Sequence, residues 1–489
     1  MSIALADRNP FHLPELRRRI SKFVTVKDAI FCARVSKAWA DVFVPVIWFK
    51  VDFKIHSGFD NLSSDIVAKH GHLIRIVKRA KLLLSITVLA NTNVDQLREL
   101  EIEPTGSAIH HVLAYEIISR NIPSLQELSL SATAVSNKFN SLAHFVSAPA
   151  LVSFSGRSAS SPGNVAPSRL TTLTISDLCL TYDGLVAILR GCPLLTDLTM
   201  CRTGFFGPGI LPFQHAGVKK FSASIDCIFP VDDEDEDDED EDESENESGN
   251  DSSKPSLLYC FPNLRYLSTW KDDPDYPILT VRIKKELAQY CPHVTSYGLD
   301  DDAGEITSHF CTRIGRRLTE VVFDYDYLTT EVIAAILLHQ SSLVKVKVYT
   351  NPDFSYEEDA VAAVSDHFEE SGPFLQLIPR GCRKLKTLDI HLHEMDMDDV
   401  EMDEWVCKDL KTLRFRVKGL DTKDKILKAI ALWRKGCWRR WQEQARTPIG
   451  AEGELDETDM SIEARVARHL LKFDKLWKVW LGYQTWEPL

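Results

Sequence analysis

Two histidine pairs offer the first chemistry to consider. His391 and His393 stand two residues apart, a spacing that puts both side chains on one face of a strand, as metal ligands require. His110 and His111 are adjacent. Neither pair has a cysteine or carboxylate at ligand spacing, so both are read as solvated histidines. Asp300, Asp301, Asp302, Asp324 and Asp326 are read as surface acids rather than a catalytic group. The chain has no Walker-type loop, no GxSxG and no HExxH, so phosphate, acyl-transfer and zinc chemistry lack the residues they need. Eleven cysteines, an odd number with no CxxC pair, fit neither a disulfide framework nor a zinc site and are expected to be reduced thiols packed as small hydrophobes. The sequence therefore points away from an enzyme and calls for no cofactor or metal.

Charge narrows the classes further. The formal net charge is −14 over 489 residues, but residues 232–251 hold fifteen Asp or Glu and no Lys or Arg, so the remainder sums to +1. Acidity is a local feature of this chain, and the sign of the run disfavours nucleic-acid binding by the run itself. With 44% hydrophobic residues the chain can bury a large core. No apolar run is long enough for a membrane span, and the opening MSIALADRNPF lacks the basic and apolar regions of a secretory signal. A soluble protein of the cytoplasm and/or nucleus, with no membrane partner, is the expectation.

The elements that position any functional residue obey a repeat. An apolar residue, another at +3 and another at +5 recur as Leu97/Leu100/Ile102, Leu125/Leu128/Leu130, Leu170/Leu173/Ile175, Leu195/Leu198/Met200, Leu318/Val321/Phe323, Leu343/Val346/Val348, Leu385/Leu388/Ile390 and Leu410/Leu413/Phe415. Weaker copies are Leu151/Phe154, Val218/Phe221, Leu264/Leu267, Val294/Tyr297/Leu299 and Leu476/Val479/Leu481. Most steps are 19 to 30 residues, room for a strand, a turn and a helical return. Cys192, Cys291, Cys382 and Cys407 each fall three residues before the first apolar position, and Cys260 four before it. Side chains alternate along a strand, so the +3 and +5 residues enter a core and their neighbours face out. This spelling resembles the leucine-rich repeat, in its cysteine-containing variety, from about residue 70 onward. The resemblance implies an α/β solenoid, an irregular horseshoe, over residues 60–489.

Oversized steps mark insertions. The 46-residue step from Val218 to Leu264 holds DDEDEDDEDEDE, which cannot be buried and is expected to be a disordered loop over residues 230–256. The 42-residue step before Leu385 carries YEEDAVAAVSDHF, read as an extra or lengthened helix. After Leu410, DTKDKILKAIALWRKGCWRRWQEQ sets Ile426, Ile430, Trp433, Cys437 and Trp441 at helical spacing. Trp433, Trp441, Trp477 and Trp480 are expected to form the core that closes the C-terminal end.

A different pattern occupies the start, HLPELRRRISKFVTVKDAIFCARVSKAWADVFVPVIWFKV. Pro14 suits a first helical turn, with Leu16, Ile20 and Phe23 on one apolar side. Thr25 and Ser36 suit the caps of a second and third helix, the latter with Trp39, Val42, Phe43 and Val46 at helical spacing. The order Leu13-Pro14-Glu15, Ile20, Lys27-Asp28-Ala29-Ile30, Val35, Lys37-Ala38-Trp39 and Ile47-Trp48 resembles an F-box, a small all-α three-helix domain, placed here at residues 8–54. Arg17 to Arg19, and Ala29 where a larger apolar residue is commoner, depart from the family. By that resemblance Leu13, Pro14, Leu16, Ile20, Ile30 and Val35 face or support a Skp adaptor, and through it a cullin-RING ligase, while Trp39 and Trp48 pack the bundle.

By the same resemblance the repeats hold a protein substrate. The outward strand positions run from Glu99, Glu101 and Glu103 through Thr172, Thr174 and Ser176 to Tyr266 and Trp270, Lys345, Lys347 and Tyr349, Asp389 and His391, and Arg414 and Arg416. Aromatic and basic anchors favour binding hot spots, so Trp270, Lys345, Lys347, Tyr349, His391, Arg414 and Arg416 are the expected substrate contacts. The two resemblances together imply a substrate-recognition subunit of an SCF-type ubiquitin ligase. A repeat scaffold without that role, or a module that captures basic proteins through the acidic run, are the alternatives.

Overall fold

The computed structural model describes residues 13–55, 64–81, 83–103, 108–131, 168–206, 213–229, 256–270, 286–299, 318–324, 330–349, 375–444, 459–481 and 484–486. The acidic run, the Leu151/Phe154 copy, the YEEDAVAAVSDHF segment, Asp300, Asp301, Asp302 and Asp326 lie outside them. Packing divides the described residues into two compact units, one running to residue 218 and the other made of residues 219–229 and 256 onward.

The first unit opens with three helices, α1 (Pro14–Ile20), α2 (Val26–Ala33) and α3 (Lys37–Phe49). Their boundaries are set by side-chain chemistry. Pro14 fills the first turn of α1. Thr25 Oγ1 accepts the Asp28 N–H at 3.2 Å, and Ser36 Oγ accepts the Trp39 N–H at 3.4 Å, so both predicted caps are present. Ala29 and Phe43 are fully buried, and Trp39 stacks on Phe43 at 5.3 Å. The small side chain at Ala29 lets α2 lie close to α3. Phe23 departs from expectation: α1 ends at Ile20, so Phe23 sits in the turn beyond it and is 86% exposed.

From α3 the chain passes directly into β1 (Lys50–Asp52), then β2 (Ile76–Ala80), β3 (Glu99–Ile102), β4 (Glu127–Ser131), β5 (Thr172–Ser176), β6 (Cys179–Thr181), β7 (Asp197–Cys201) and β8 (Gly204–Phe206). Strands β1, β2, β3, β4, β5 and β7 pair in parallel, in that order, and β6 pairs with β8 in a separate parallel ladder. The second unit holds β9 (Lys220–Ser224), β10 (Tyr266–Trp270), β11 (Ser296–Leu299), β12 (Glu320–Asp324), β13 (Lys345–Tyr349), β14 (Thr387–Met395), β15 (Thr412–Val417), β16 (Lys478–Leu481) and β17 (Gln484–Trp486). These pair in sequence order, all parallel except the final antiparallel β16–β17 step. Each strand adding beside its predecessor, with a return between, is an α/β solenoid-like repeat.

The repeat is legible atom by atom. Leu385 N–H donates to the Cys382 carbonyl at 3.2 Å, and the same turn joins Leu195 to Cys192, Val294 to Cys291 and Leu410 to Cys407. The two residues after the first leucine reach the preceding repeat: the Lys386 and Thr387 N–H groups donate to the Val344 carbonyl at 2.8 and 3.2 Å, and those of Lys411 and Thr412 to the Lys386 carbonyl at 2.8 and 3.0 Å. Leu385, Leu388 and Ile390 are then fully buried, each worth about 2 kcal/mol of apolar burial. Cys192, Cys260, Cys291, Cys382 and Cys407 are buried with them.

Where a repeat has no cysteine, another buried polar group takes the turn. Asn121 Oδ1 accepts the Leu97 N–H at 2.8 Å, and its Nδ2 donates to the carbonyls of Val94 and Ile117 at 2.9 Å each. His339 Nδ1 accepts the Leu318 N–H at 3.1 Å, and His215 Nε2 lies 3.0 Å from the Cys192 carbonyl. These side chains pin one repeat to the backbone of its predecessor.

Among the C-terminal tryptophans, Trp433 is core at 1% exposure, on the helix Lys423–Gln444. Trp477 is not: it is 48% exposed, and Trp480 is half-buried on the outward side of β16. The strand alternation explains the difference, because Leu476, Val479 and Leu481 already fill the inward positions. Trp441 lies on the same helix as Trp433, with its side chain outside the described set. Among the described residues no helix is long and apolar enough to cross a membrane, and no group of His, Cys, Asp and Glu could hold a metal ion.

Candidate functional site

Two surfaces gather the sequence-predicted residues, one in each unit. The first is the helical segment. Leu13 is 46%, Ile30 45% and Val35 67% exposed; Pro14 is exposed, and Leu16 and Ile20 are half-buried or buried less fully than the core beneath. Two residues join this group that the motif does not assign to a partner, Phe31 at 59% exposure and Phe23. Phe31 comes directly after Ile30, so helical periodicity gives no reason to place both in contact with one partner. With α2 buried only at Ala29, both point outward. Trp39 and Trp48 are half-buried, Trp48 stacking on His70 at 4.9 Å. Arg17, one of the three consecutive arginines, is buried, while Arg18 and Arg19 are exposed.

The second surface is the outward side of the β12–β16 sheet. Lys345 lies beside Glu320 on one side and Thr387 on the other, and its ammonium pairs with the Glu320 carboxylate. The next row runs Lys347, Asp389, Arg414, Trp480 in register. Arg414 reaches Asp389 at 3.8 Å and lies 5.9 Å from the Trp480 ring centre, with Lys478 Nζ over the same ring at 4.5 Å. Cations held against an indole face are pre-oriented at low entropic cost.

His391 departs from the expected row. The β14–β15 register slips between Ile390 and Glu394, so Glu394, not His391, lies opposite Arg416, and residues 391–393 form the irregularity. Trp270 and Tyr349 end β10 and β13, paired with Ser224 and Asp324. Lys345, Lys347 and Arg414 are therefore brought together, Arg416 sits beside Glu394, and His391 and Trp270 are not on that row.

The cysteines offer no nucleophile among those described in the core. Burial pushes the Cys192 and Cys260 thiols up to about 11 and those of Cys291, Cys382 and Cys407 to about 12, so the reactive thiolate is scarce at neutral pH.

No family model matches the chain, and no curated protein matches it. Among solved structures it is similar to the Rad7 and Elc1 complex of yeast, with 13% identity over 85% of this chain and 94% of that chain, at a TM-score of 0.32.

Proposed function

We propose that the chain is a substrate-recognition subunit of an SCF-type cullin-RING ubiquitin ligase, its three N-terminal helices docking a Skp adaptor and its repeats holding a protein substrate. It catalyses no bond change. It raises the local concentration of the target beside the catalytic partner. The observation that carries this reading is the group of exposed apolar side chains, Leu13, Phe23, Ile30, Phe31 and Val35, on a helical segment whose own core is already closed by Ala29 and Phe43. Large apolar side chains left in water along one short helical segment suit a protein-binding face. The F-box resemblance supplies its partner.

A second reading is a helical end cap for the repeats, favoured by the direct passage of α3 into β1, which pairs with β2. Co-purification with the Skp adaptor separates the two. The wild-type chain is expected to retain stoichiometric adaptor, and Leu13→Ala/Ile30→Ala/Val35→Ala to lose it with an unchanged circular dichroism spectrum. A folded wild type without adaptor leaves only the cap.

A further inference from the structure

The two units present sheet faces of different charge balance. In the first, Glu99, Glu101, Glu127 and Asp197 stand among threonines and serines, with the basic Lys78 and Arg79 of β2 paired to Glu99 and Asp52. In the second, Lys345, Lys347, Arg414, Arg416 and Lys478 outnumber Glu320, Asp389 and Glu394. We infer that the β13–β16 face binds an extended acidic peptide segment, its anionic groups being carboxylates or phosphates. This inference rests on the reading of the repeats as the substrate-holding part, and names the chemistry of the substrate.

Register sets the spacing such a ligand must match. Lys347 and Arg414 share a row with one strand between them, which puts their backbones on the order of 10 Å apart. A peptide in the polyproline II conformation rises about 3.1 Å per residue with about three residues per turn, so anions three residues apart lie on one side of it, about 9 Å apart, and fall opposite both. Lys478 and Arg414 are held against Trp480, whose half-buried ring offers a flat apolar seat beside the second anion. The outward hydroxyls of Thr387 and Thr412, between Lys345 and Lys478 in the neighbouring row, are available to donate to oxyanions.

The interleaved Glu320, Asp389 and Glu394 select against a continuous polyphosphate. A nucleic-acid backbone carries a charge at every step and meets these carboxylates, whereas a peptide can place neutral residues opposite them. Asp389, 3.8 Å from Arg414, also keeps the guanidinium turned into the row when no ligand is present.

The test is fluorescence anisotropy on the full chain, without adaptor, so that it stands or falls apart from the adaptor reading. The probes are a labelled twelve-residue peptide with glutamate at every third position in a serine and alanine background, the same peptide with phosphoserine at those positions, a lysine-substituted control, and a single-stranded oligonucleotide. Binding of either acidic peptide, weakened tenfold or more by Lys347→Ala/Arg414→Ala and by Trp480→Ala but not by Lys435→Ala/Arg439→Ala on the helix Lys423–Gln444, outside the sheet, is expected. The glutamate and phosphoserine arms say which anion is preferred. Equal loss from both pairs of variants would mean general electrostatic attraction and overturn the site. Binding of the oligonucleotide alone, or of no acidic peptide by a folded chain, overturns it as well. Arg414→Lys keeps the charge without the planar fork, and retained binding in that variant with loss in the double variant excludes mere unfolding.

Discussion

At the scale of single residues, exposure separates docking from folding. Phe31 and Phe43 are the same residue type on adjacent helices, yet one is 59% exposed and the other fully buried. Phe31→Ala removes only surface and is expected to change stability by no more than about 0.5 kcal/mol while weakening adaptor binding at least tenfold, read by titration calorimetry and thermal melting. Phe43→Ala leaves a cavity beneath Trp39 and is expected to cost about 3–5 kcal/mol of helical-segment stability. Asn121 makes the converse point for polar groups. It satisfies one buried N–H and two carbonyls, so Asn121→Ala strands three backbone groups at once. A loss of about 3 kcal/mol is expected in chemical denaturation. Asn121→Asp, which keeps the acceptor but not the donors, is expected to recover only part of it.

At the scale of elements, the helix Ile462–Leu471 carries a group that works against the fold at low pH. His469 is buried in the angle between Trp405, at 4.6 Å, and Phe473, at 5.4 Å, and neither ring nitrogen has a hydrogen-bond partner among the described residues. Burial, with Lys472 and Lys408 nearby, drives its pKa from 6.5 down to about 3. Above pH 6.5 both folded and unfolded states hold it neutral and its titration contributes no slope. As pH falls below 6.5 the unfolded chain takes a proton that the folded chain refuses, so stability declines by up to about 1.4 kcal/mol per pH unit until the folded group titrates. His469→Phe is expected to flatten the denaturation midpoint between pH 6.5 and 4 relative to wild type; parallel curves for the two proteins would show that His469 does not titrate as its burial demands. Elements also show where the sequence is readable. Every strongly spelled strand from Leu97 to Phe415 is present, because burial alternates with period two in the residues themselves. Strand β2 escapes the pattern because Arg79 occupies its +5 position: its backbone turns left-handed, at φ 56°, and hands the core position to Ala80, which pairs with Ile102. The same arginine then pairs with Asp52, a use no apolar pattern encodes. His391 is misplaced for a kindred reason, since a slip in register leaves hydrophobic spelling intact up to Ile390 and shifts only the residues beyond it. The proposed docking face is half legible: its motif residues are visible, but the exposure of Phe23 and Phe31 emerges only once the end of α1 and the buried side of α2 are fixed.

At the scale of the whole molecule, charge and thiol chemistry are both distributed unevenly. Five cysteines spread over both units are buried at repeat turns with thiols of pKa about 11 to 12, so alkylation at pH 8 is expected to spare Cys192, Cys260, Cys291, Cys382 and Cys407 until denaturant opens the repeats, as mass mapping would record. Early labelling at any of the five would mean that its repeat opens locally. The charge is more lopsided still. Removing residues 232–251 takes the chain from −14 to +1 without touching a repeat leucine. Near-zero net charge favours self-association, so the shortened chain is expected to lose retention on an anion exchanger and to become less soluble at neutral pH, with its thermal midpoint unchanged. The same deletion decides what the run is for. If it captures basic proteins, binding of a lysine-rich probe to the full chain should weaken steeply between low and physiological salt and vanish with the deletion. If adaptor binding through Ile30 and Val35 and peptide binding through Lys347 and Arg414 both survive the deletion unchanged, the run serves solubility, and selectivity resides in the two surfaces alone.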